Sequence, residues 1–230
     1  MFHQIMGFER ALPWLILALG CGYLAGSIPF GMIVARLFRL GDLRQIGSGN
    51  IGATNVLRTG NRPAALATLL LDALKGAAPV WYFLSTSGDL AAQAAGLGAF
   101  LGHCFPVWLR FRGGKGVATW FGIMLAIHPL TWVALCLTWL AAAMLTRISS
   151  VGALAAAAAG PLWLIVFDRW EAVLLAIILG VLVWLRHHAN IRRILRGEEP
   201  RIGKRPPPSL TPYTNSHGLK PIASPPRRPD

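Results

Sequence analysis

The sequence predicts an all-α integral membrane protein with seven transmembrane helices, its N-terminus outside and its C-terminus inside. Three observations predict it. The 230 residues are 54% hydrophobic and only 13% charged, a composition of membrane spans rather than of a soluble core. The apolar residues gather in long runs close to the length that a bilayer requires. The basic residues, which give a net charge of +13, lie in the loops and tail that flank those runs.

Candidate spans cover 11–38, 64–85, 91–109, 116–129, 130–146, 150–168 and 172–188. The first run continues past Ser27 to Phe38 and follows a segment of little positive charge, so it reads as a membrane helix rather than a removed signal. The stretch 116–146 is too long for one ordinary span and short for two. His128-Pro129 supplies a break, because the residue before a proline avoids the helical region. One long kinked helix there would leave six spans, and the positive-inside rule chooses between the two counts. With seven spans, nineteen Lys and Arg residues fall on inner segments, against Arg10 and Arg169 outside and Lys75 within a span. With six, Arg147 and the basic tail would lie outside.

Beyond Gly197 stand nine of the sixteen prolines and no apolar run, a composition that predicts disorder. The chain therefore divides into a seven-helix membrane domain, 1–199, and a proline-rich, basic, disordered cytoplasmic tail, 200–230. Cys21, Cys104 and Cys136 sit in apolar stretches without metal-ligand spacing and read as small buried hydrophobes. Asp72 and Lys75 lie three apart inside the second span. They are expected to pair on one helix face, or Lys75 to snorkel, in a structural role.

Seven spans place every polar, glycine-rich segment on the inner face. The first reads GDLRQIGSGNIGATNVLRTGNR, residues 41–62, with five glycines, the polar Ser48, Asn50, Thr54 and Asn55, and Arg44, Arg58 and Arg62. Glycines let backbone N–H groups approach an anion, and arginine adds a planar fork for phosphate. A flexible linker would account for the Gly, Ser and Asn residues, but not for three arginines among them. The second reads GHCFPVWLRFRGGKGVAT, residues 102–119, in which Gly113, Gly114 and Gly116 surround Lys115. It is not a Walker A loop, since Leu109 stands where the first glycine belongs and Gly116 follows the lysine. The physics is related, with a lysine on a glycine-rich turn at a helix start. A basic stop-transfer loop is the plainer reading, and it leaves three glycines unexplained. In the third, RHHANIRRILRGEEP, residues 186–200, His187 and Asn190 share a helix face. His187 can exchange a proton near neutral pH, although His187, His188 and the arginines after them also suit a lipid interface. Ser149 and Ser150 stand at an inner helix start, placed to cap it or to touch a ligand.

No histidine is followed by an H-x4-D acyltransferase pattern, and there is no GxSxG elbow and no HExxH. No helix-turn-helix, C2H2 or RNP pattern accompanies the basic charge, so no nucleic-acid partner is expected. Acidic residues on the inner face are few, which points to a metal-free anion clamp.

Three segments, 47–60, 102–119 and 186–199, resemble the signature motifs of the bacterial acyl-phosphate-dependent glycerol-3-phosphate acyltransferases, the PlsY family. GSIPFG (26–31) and LDALKG (71–76) fit as well, and the resemblance covers about residues 11–199. It implies a multi-pass inner-membrane enzyme with a periplasmic N-terminus, a cytoplasmic C-terminus and a site facing the cytoplasm. Its reaction would transfer an acyl group from acyl phosphate to the 1-position of glycerol 3-phosphate. The products are lysophosphatidic acid and phosphate, in the first acylation step of phospholipid synthesis. No metal or other cofactor is implied. The implied partners are the two substrates, membrane lipid and the peripheral enzyme that makes acyl phosphate. Carried over by position, Ser48, His187 and Asn190 are the catalytic candidates. Gly47, Asn50, Thr54, Arg58, Gly113, Gly114, Lys115, Gly116 and Ser150 are the substrate-binding ones. Glu198 and Glu199 both fit the glutamate with a supporting role. The competing class is a transporter for an anionic phosphorylated solute; the one-sided placement of the polar loops and the lack of paired broken helices weigh against it.

Overall fold

A computed structural model describes residues 8–203; most of the proline-rich segment, from 204 on, lies outside the described residues. Among the described residues there are ten α-helices and no strand. They are α1 (Phe8–Gly26), α2 (Phe30–Leu37), α3 (Ala53–Leu57), α4 (Arg62–Ser87), α5 (Asp89–Cys104), α6 (Val117–Ile127), α7 (Pro129–Thr146), α8 (Ser149–Val166), α9 (Val173–Arg186) and α10 (His188–Leu195).

Local chemistry explains the boundaries. The Asn61 side chain accepts from the Ala64 N–H at 2.9 Å and Pro63 follows it, which starts α4; α4 ends at Gly88, whose φ is 85°. His128 and Pro129 divide α6 from α7 as the sequence predicts, and the His128 ring nitrogen caps α7 through the Thr131 N–H. The first apolar run differs from expectation. It is apolar from Ala11 to Leu37 but not continuously helical, because α1 stops at Gly26 and α2 starts at Phe30. Pro29 has no N–H to give and keeps Ile28 out of the helical region. Hydropathy is blind to that break.

Small residues let the helices meet at the backbone. A Cβ on Gly98 or Gly102 of α5 would run into the backbone of Leu19 or Tyr23 on α1, and one on Gly22 or Gly26 into Ala95 or Ala99 on α5. Gly76 of α4 and Gly122 of α6 meet Thr119 and Ala73 in the same way. Lipid offers helices no hydrophobic drive to associate, so this dispersion contact does the holding. Inside lie Phe100, Trp120, Ile123, Leu135, Leu164 and Leu179. Leu17, Leu70, Leu137, Leu162 and Leu174 are exposed, as lipid-facing residues are. Cys104 is buried, but Cys21 is exposed, because its face of α1 is turned away from α5. It is therefore not the buried hydrophobe that the sequence suggested.

Five segments are long and apolar enough to cross a membrane: Ala11–Leu37, Arg62–Ser87, Asp89–Leu109, Pro129–Thr146 and Ser149–Val166. A sixth, Trp170–Arg186, passes the same test together with His188–Leu195, which turns away from it by 60°. The expected span 116–129 is an eleven-residue apolar helix, α6. At 1.5 Å per residue it rises roughly half the ~30 Å of bilayer hydrocarbon.

The α1–α5 contact gives a direct test. Gly98→Ala is expected to destabilise the protein by about 1–3 kcal/mol, because backbone must move to admit the methyl. Gly20→Ala, with nothing within 4 Å of the new carbon, is expected to be neutral or mildly stabilising. Thermal unfolding in detergent checks both.

Candidate functional site

The basic segments meet at one end of the bundle. Arg44 donates to the Arg112 carbonyl at 2.9 Å, joining the first glycine-rich loop to the second. Arg186 donates to the carbonyls of Gly113 and Gly114 at 3.0–3.3 Å, joining the second to the end of α9. The Ile202 N–H donates to the Arg147 carbonyl at 2.7 Å, folding the chain after α10 back onto the α7–α8 turn.

In the first loop a buried side chain organises the exposed ones. Asn55 donates to the Leu43 carbonyl at 2.9 Å, and its own oxygen accepts from Ser48 N–H at 3.2 Å and Ser48 Oγ at 3.4 Å. Gly47 lies in the left-handed region, φ 55°. A Cβ there would sit 2.7 Å from the Arg58 side chain and from the Asn55 oxygen, so glycine is what lets Arg58 lie across the loop beside Ser48. Burial draws the Arg58 guanidinium below its ordinary value, with Glu199 opposing and Arg193 reinforcing that shift. Asn50 is half-buried and Thr54 exposed; neither side chain makes a hydrogen bond among the described residues.

The second loop hangs from the end of α5. Gly113 and Gly114 N–H groups donate to the Cys104 and His103 carbonyls, each at 3.1 Å. Gly116, φ 80°, turns the chain into α6, and a Cβ there would strike the Phe100 ring. The turn aims Lys115 at the third segment, where its Nζ donates to Asn190 Oδ1 at 2.6 Å. Burial lowers the Lys115 pKa to about 8; Glu199 opposes this, and the charges of Arg193, Arg58 and Arg186 add to it.

His187 is the corner between α9 and α10 and is buried. Its Nδ1 stands 2.8 Å from the Val183 carbonyl. A carbonyl only accepts, so Nδ1 carries the hydrogen and Nε2 of the neutral ring keeps its lone pair. Asn190 donates to Glu199 Oε1 at 2.5 Å. Ser150 Oγ donates to the same oxygen at 2.7 Å, and Arg193 Nε to Oε2 at 2.6 Å. Burial alone would raise the Glu199 pKa, but the hydrogen bonds from Asn190, Ser150 and Arg193 outweigh it and hold the carboxylate below its ordinary range.

Of the residues expected from sequence, Lys115, Asn190 and Ser150 join one hydrogen-bonded chain, with Glu199 as its centre. Arg58 shares their electrostatic neighbourhood, and the charges of Lys115 and Glu199 bear on His187. Ser48 joins the Asn55 bridge. Ser150 reaches Glu199 rather than open space, and Glu198 is exposed while Glu199 is buried. Sequence reasoning passed over Arg186, which precedes His187 directly, and gave Asn55 no special place among the polar residues of its loop. The sequence signal for Arg186 was its position at the end of an apolar run.

The family model described as Glycerol-3-phosphate acyltransferase matches residues 16–197. The glycerol-3-phosphate acyltransferase of Cereibacter sphaeroides is 58% identical over 197 residues, which cover 86% of this chain and 94% of the relative. That of Sinorhizobium fredii is 53% identical over 202 residues, 88% of this chain and 99% of the relative. Two crystal structures of PlsY (YgiH), an integral membrane glycerol 3-phosphate acyltransferase, are similar in fold. The glycerol 3-phosphate form has TM-score 0.77 and 38% identity over 84% of this chain and 96% of that one. The lysophosphatidic acid form has TM-score 0.76 and 34% identity over 82% and 95%.

Glu199→Gln would set an amide NH2 against Arg193 or against the Ser150 and Asn190 donors. A loss of about 1–3 kcal/mol is expected from the unsatisfied buried groups, with Glu198→Gln within about 0.5 kcal/mol of wild type. Paired thermal melts in detergent separate the two glutamates.

Proposed function

Because the chain belongs to the glycerol-3-phosphate acyltransferase family, we propose that it transfers an acyl group from acyl phosphate to the 1-hydroxyl of glycerol 3-phosphate. The observation that carries this reading is the charge at the site: Lys115 has three cationic neighbours, Arg193, Arg58 and Arg186, and one carboxylate, Glu199. Such a surplus suits two phosphorylated substrates. An apolar groove of about 330 Å³ adjoins it, lined by Val151, Leu154, Trp184, Ile191, Ile194 and Leu195 among others. That groove suits the hydrocarbon chain of the donor.

In this reading the Gly113–Gly116 turn and Lys115 hold the phosphate of glycerol 3-phosphate, and Arg58 with Ser48 and Gly47 holds the acyl phosphate. Asn50 on that loop and Thr54 in the first turn of α3 would add an amide and a hydroxyl donor. Ser150 acts through Glu199, fixing Asn190 and so the tip of Lys115. His187 and Asn190 orient the attacking hydroxyl. The hydroxyl oxygen bonds to the acyl carbon, the bond from that carbon to the bridging oxygen breaks, and phosphate leaves with the electron pair. The hydroxyl proton passes to a phosphate oxygen. Ser48 hydrogen-bonds only to Asn55 among the described residues, so no base adjoins it to favour an acyl-enzyme. Orientation of the two substrates can supply up to about 7–11 kcal/mol.

We place the site at the cytoplasmic face of the bacterial inner membrane. The seven crossings would be α1 with α2, α4, α5, α6, α7, α8 and α9. The nineteen basic residues that seven spans assign to inner segments support that orientation. The enzyme that makes acyl phosphate would deliver it there.

Purified protein in lipid, given palmitoyl phosphate and labelled glycerol 3-phosphate with EDTA present, is expected to yield labelled lysophosphatidic acid. Product from palmitoyl-CoA alone would overturn the donor assignment. Lys115 supplies a second expectation. It is protonated below pH 8 and neutral above, so the KM for glycerol 3-phosphate should rise as pH passes through about 8. In Lys115→Arg that rise should be absent from pH 7 to 9.5, since a guanidinium keeps its charge there.

A further inference from the structure

One polar cluster takes no part in the proposed chemistry. Asp72 and Lys75 on α4 and His103 on α5 are 2%, 5% and 4% exposed, a depth at which charged groups are costly unless paired. Lys75 Nζ lies 2.7 Å from Asp72 Oδ1 and donates to the Ile28 carbonyl at 2.7 Å. Ile28 stands at the α1–α2 break, where that carbonyl is outside the helical pairing. Asp72 Oδ1 in turn lies 3.7 Å from His103 Nδ1. The far edge of the imidazole meets the second glycine loop: a Cβ on Gly114 would run into His103 Nε2. Gly114 also donates its N–H to the His103 carbonyl at 3.1 Å. From the other side Arg186 grips the Gly113 and Gly114 carbonyls. The turn that carries Lys115 is thus seated between an imidazole and a guanidinium. A row of contacts runs from the broken first span through Lys75, Asp72 and His103 to Gly114, next to Lys115.

The geometry points to Asp72 and His103 as positioning residues for Lys115. Lys75 anchors Asp72 to the α1–α2 break, the Asp72 carboxylate faces His103 Nδ1 across 3.7 Å without a hydrogen bond, and the imidazole is the floor against which the Gly114–Lys115 turn rests. This rests on Lys115 as a phosphate contact. A cluster that only joined α4 to α5 would stabilise the fold and leave substrate affinity alone.

The test is a double-mutant cycle on the full chain in lipid, reading kcat and both KM values for His103→Gln, Lys115→Ala and the pair. His103→Gln is expected to raise the KM for glycerol 3-phosphate about tenfold. It should change kcat and the KM for acyl phosphate less than twofold, and should add no further rise once Lys115 is alanine. His103→Asn, which shortens the same floor, should give the same selective rise and serves if His103→Gln does not fold. A fall in kcat at unchanged KM would overturn the proposal, as would equal KM effects in both Lys115 backgrounds. If Lys115→Ala alone leaves the KM for glycerol 3-phosphate unchanged, the phosphate role of Lys115 fails first, whatever His103 does.

Discussion

The Glu199 carboxylate is the point at which the second and third inner segments and the start of α8 converge. It draws in Ser150 from the start of α8, Asn190 and Arg193 from α10, and through Asn190 the Lys115 turn ahead of α6. The donors come from two helices, α8 and α10, and a buried carboxylate has enough lone pairs to satisfy all three. Without it, the cations here would face only one another. With it, they are held close but not neutralised.

That incomplete neutralisation gives the site its chemical bias. Lowering Lys115 from an ordinary 10.5 to about 8 means that burial and neighbouring cations disfavour its charged form by roughly 3 kcal/mol. An arriving phosphate reverses the balance, since its charge favours protonated lysine. A lysine held in this way gains its charge more readily beside an anion. The partial burial of Arg58 acts in the same sense.

Much of this was legible in the sequence because it is carried by runs and dipeptides. The apolar stretches located the helices, and His128-Pro129 divided α6 from α7. The glycine-rich loops located the segments that meet at the end of the bundle, and the motif resemblance named the candidate residues on them. What escaped depends on three-dimensional placement. Pro29 breaks the first span without altering its hydropathy. The two adjacent glutamates are chemically identical, and only the turn at Gly197, φ 70°, buries Glu199 and leaves Glu198 in solvent. Arg186 resembles a stop-transfer arginine until its fork is found on the Gly113 and Gly114 carbonyls. Asn55 resembles any loop asparagine until its carbonyl oxygen is found on Ser48. How short α6 is escaped as well, because hydropathy gives the extent of an apolar run and not of the helix within it.

The 60° corner at His187 has a consequence for how a greasy product departs. It lays α10 across the end of the bundle, so that Trp184, Ile191 and Leu195 form a gutter open along its side. Each methylene that enters water costs about 0.8 kcal/mol, so a sixteen-carbon tail pulled through the aqueous phase would face a barrier of roughly 12 kcal/mol. A tail lying in an open-sided gutter avoids it. It can slide laterally into the surrounding leaflet while its phosphate head stays at the water boundary, and the newly made lipid is delivered already partitioned.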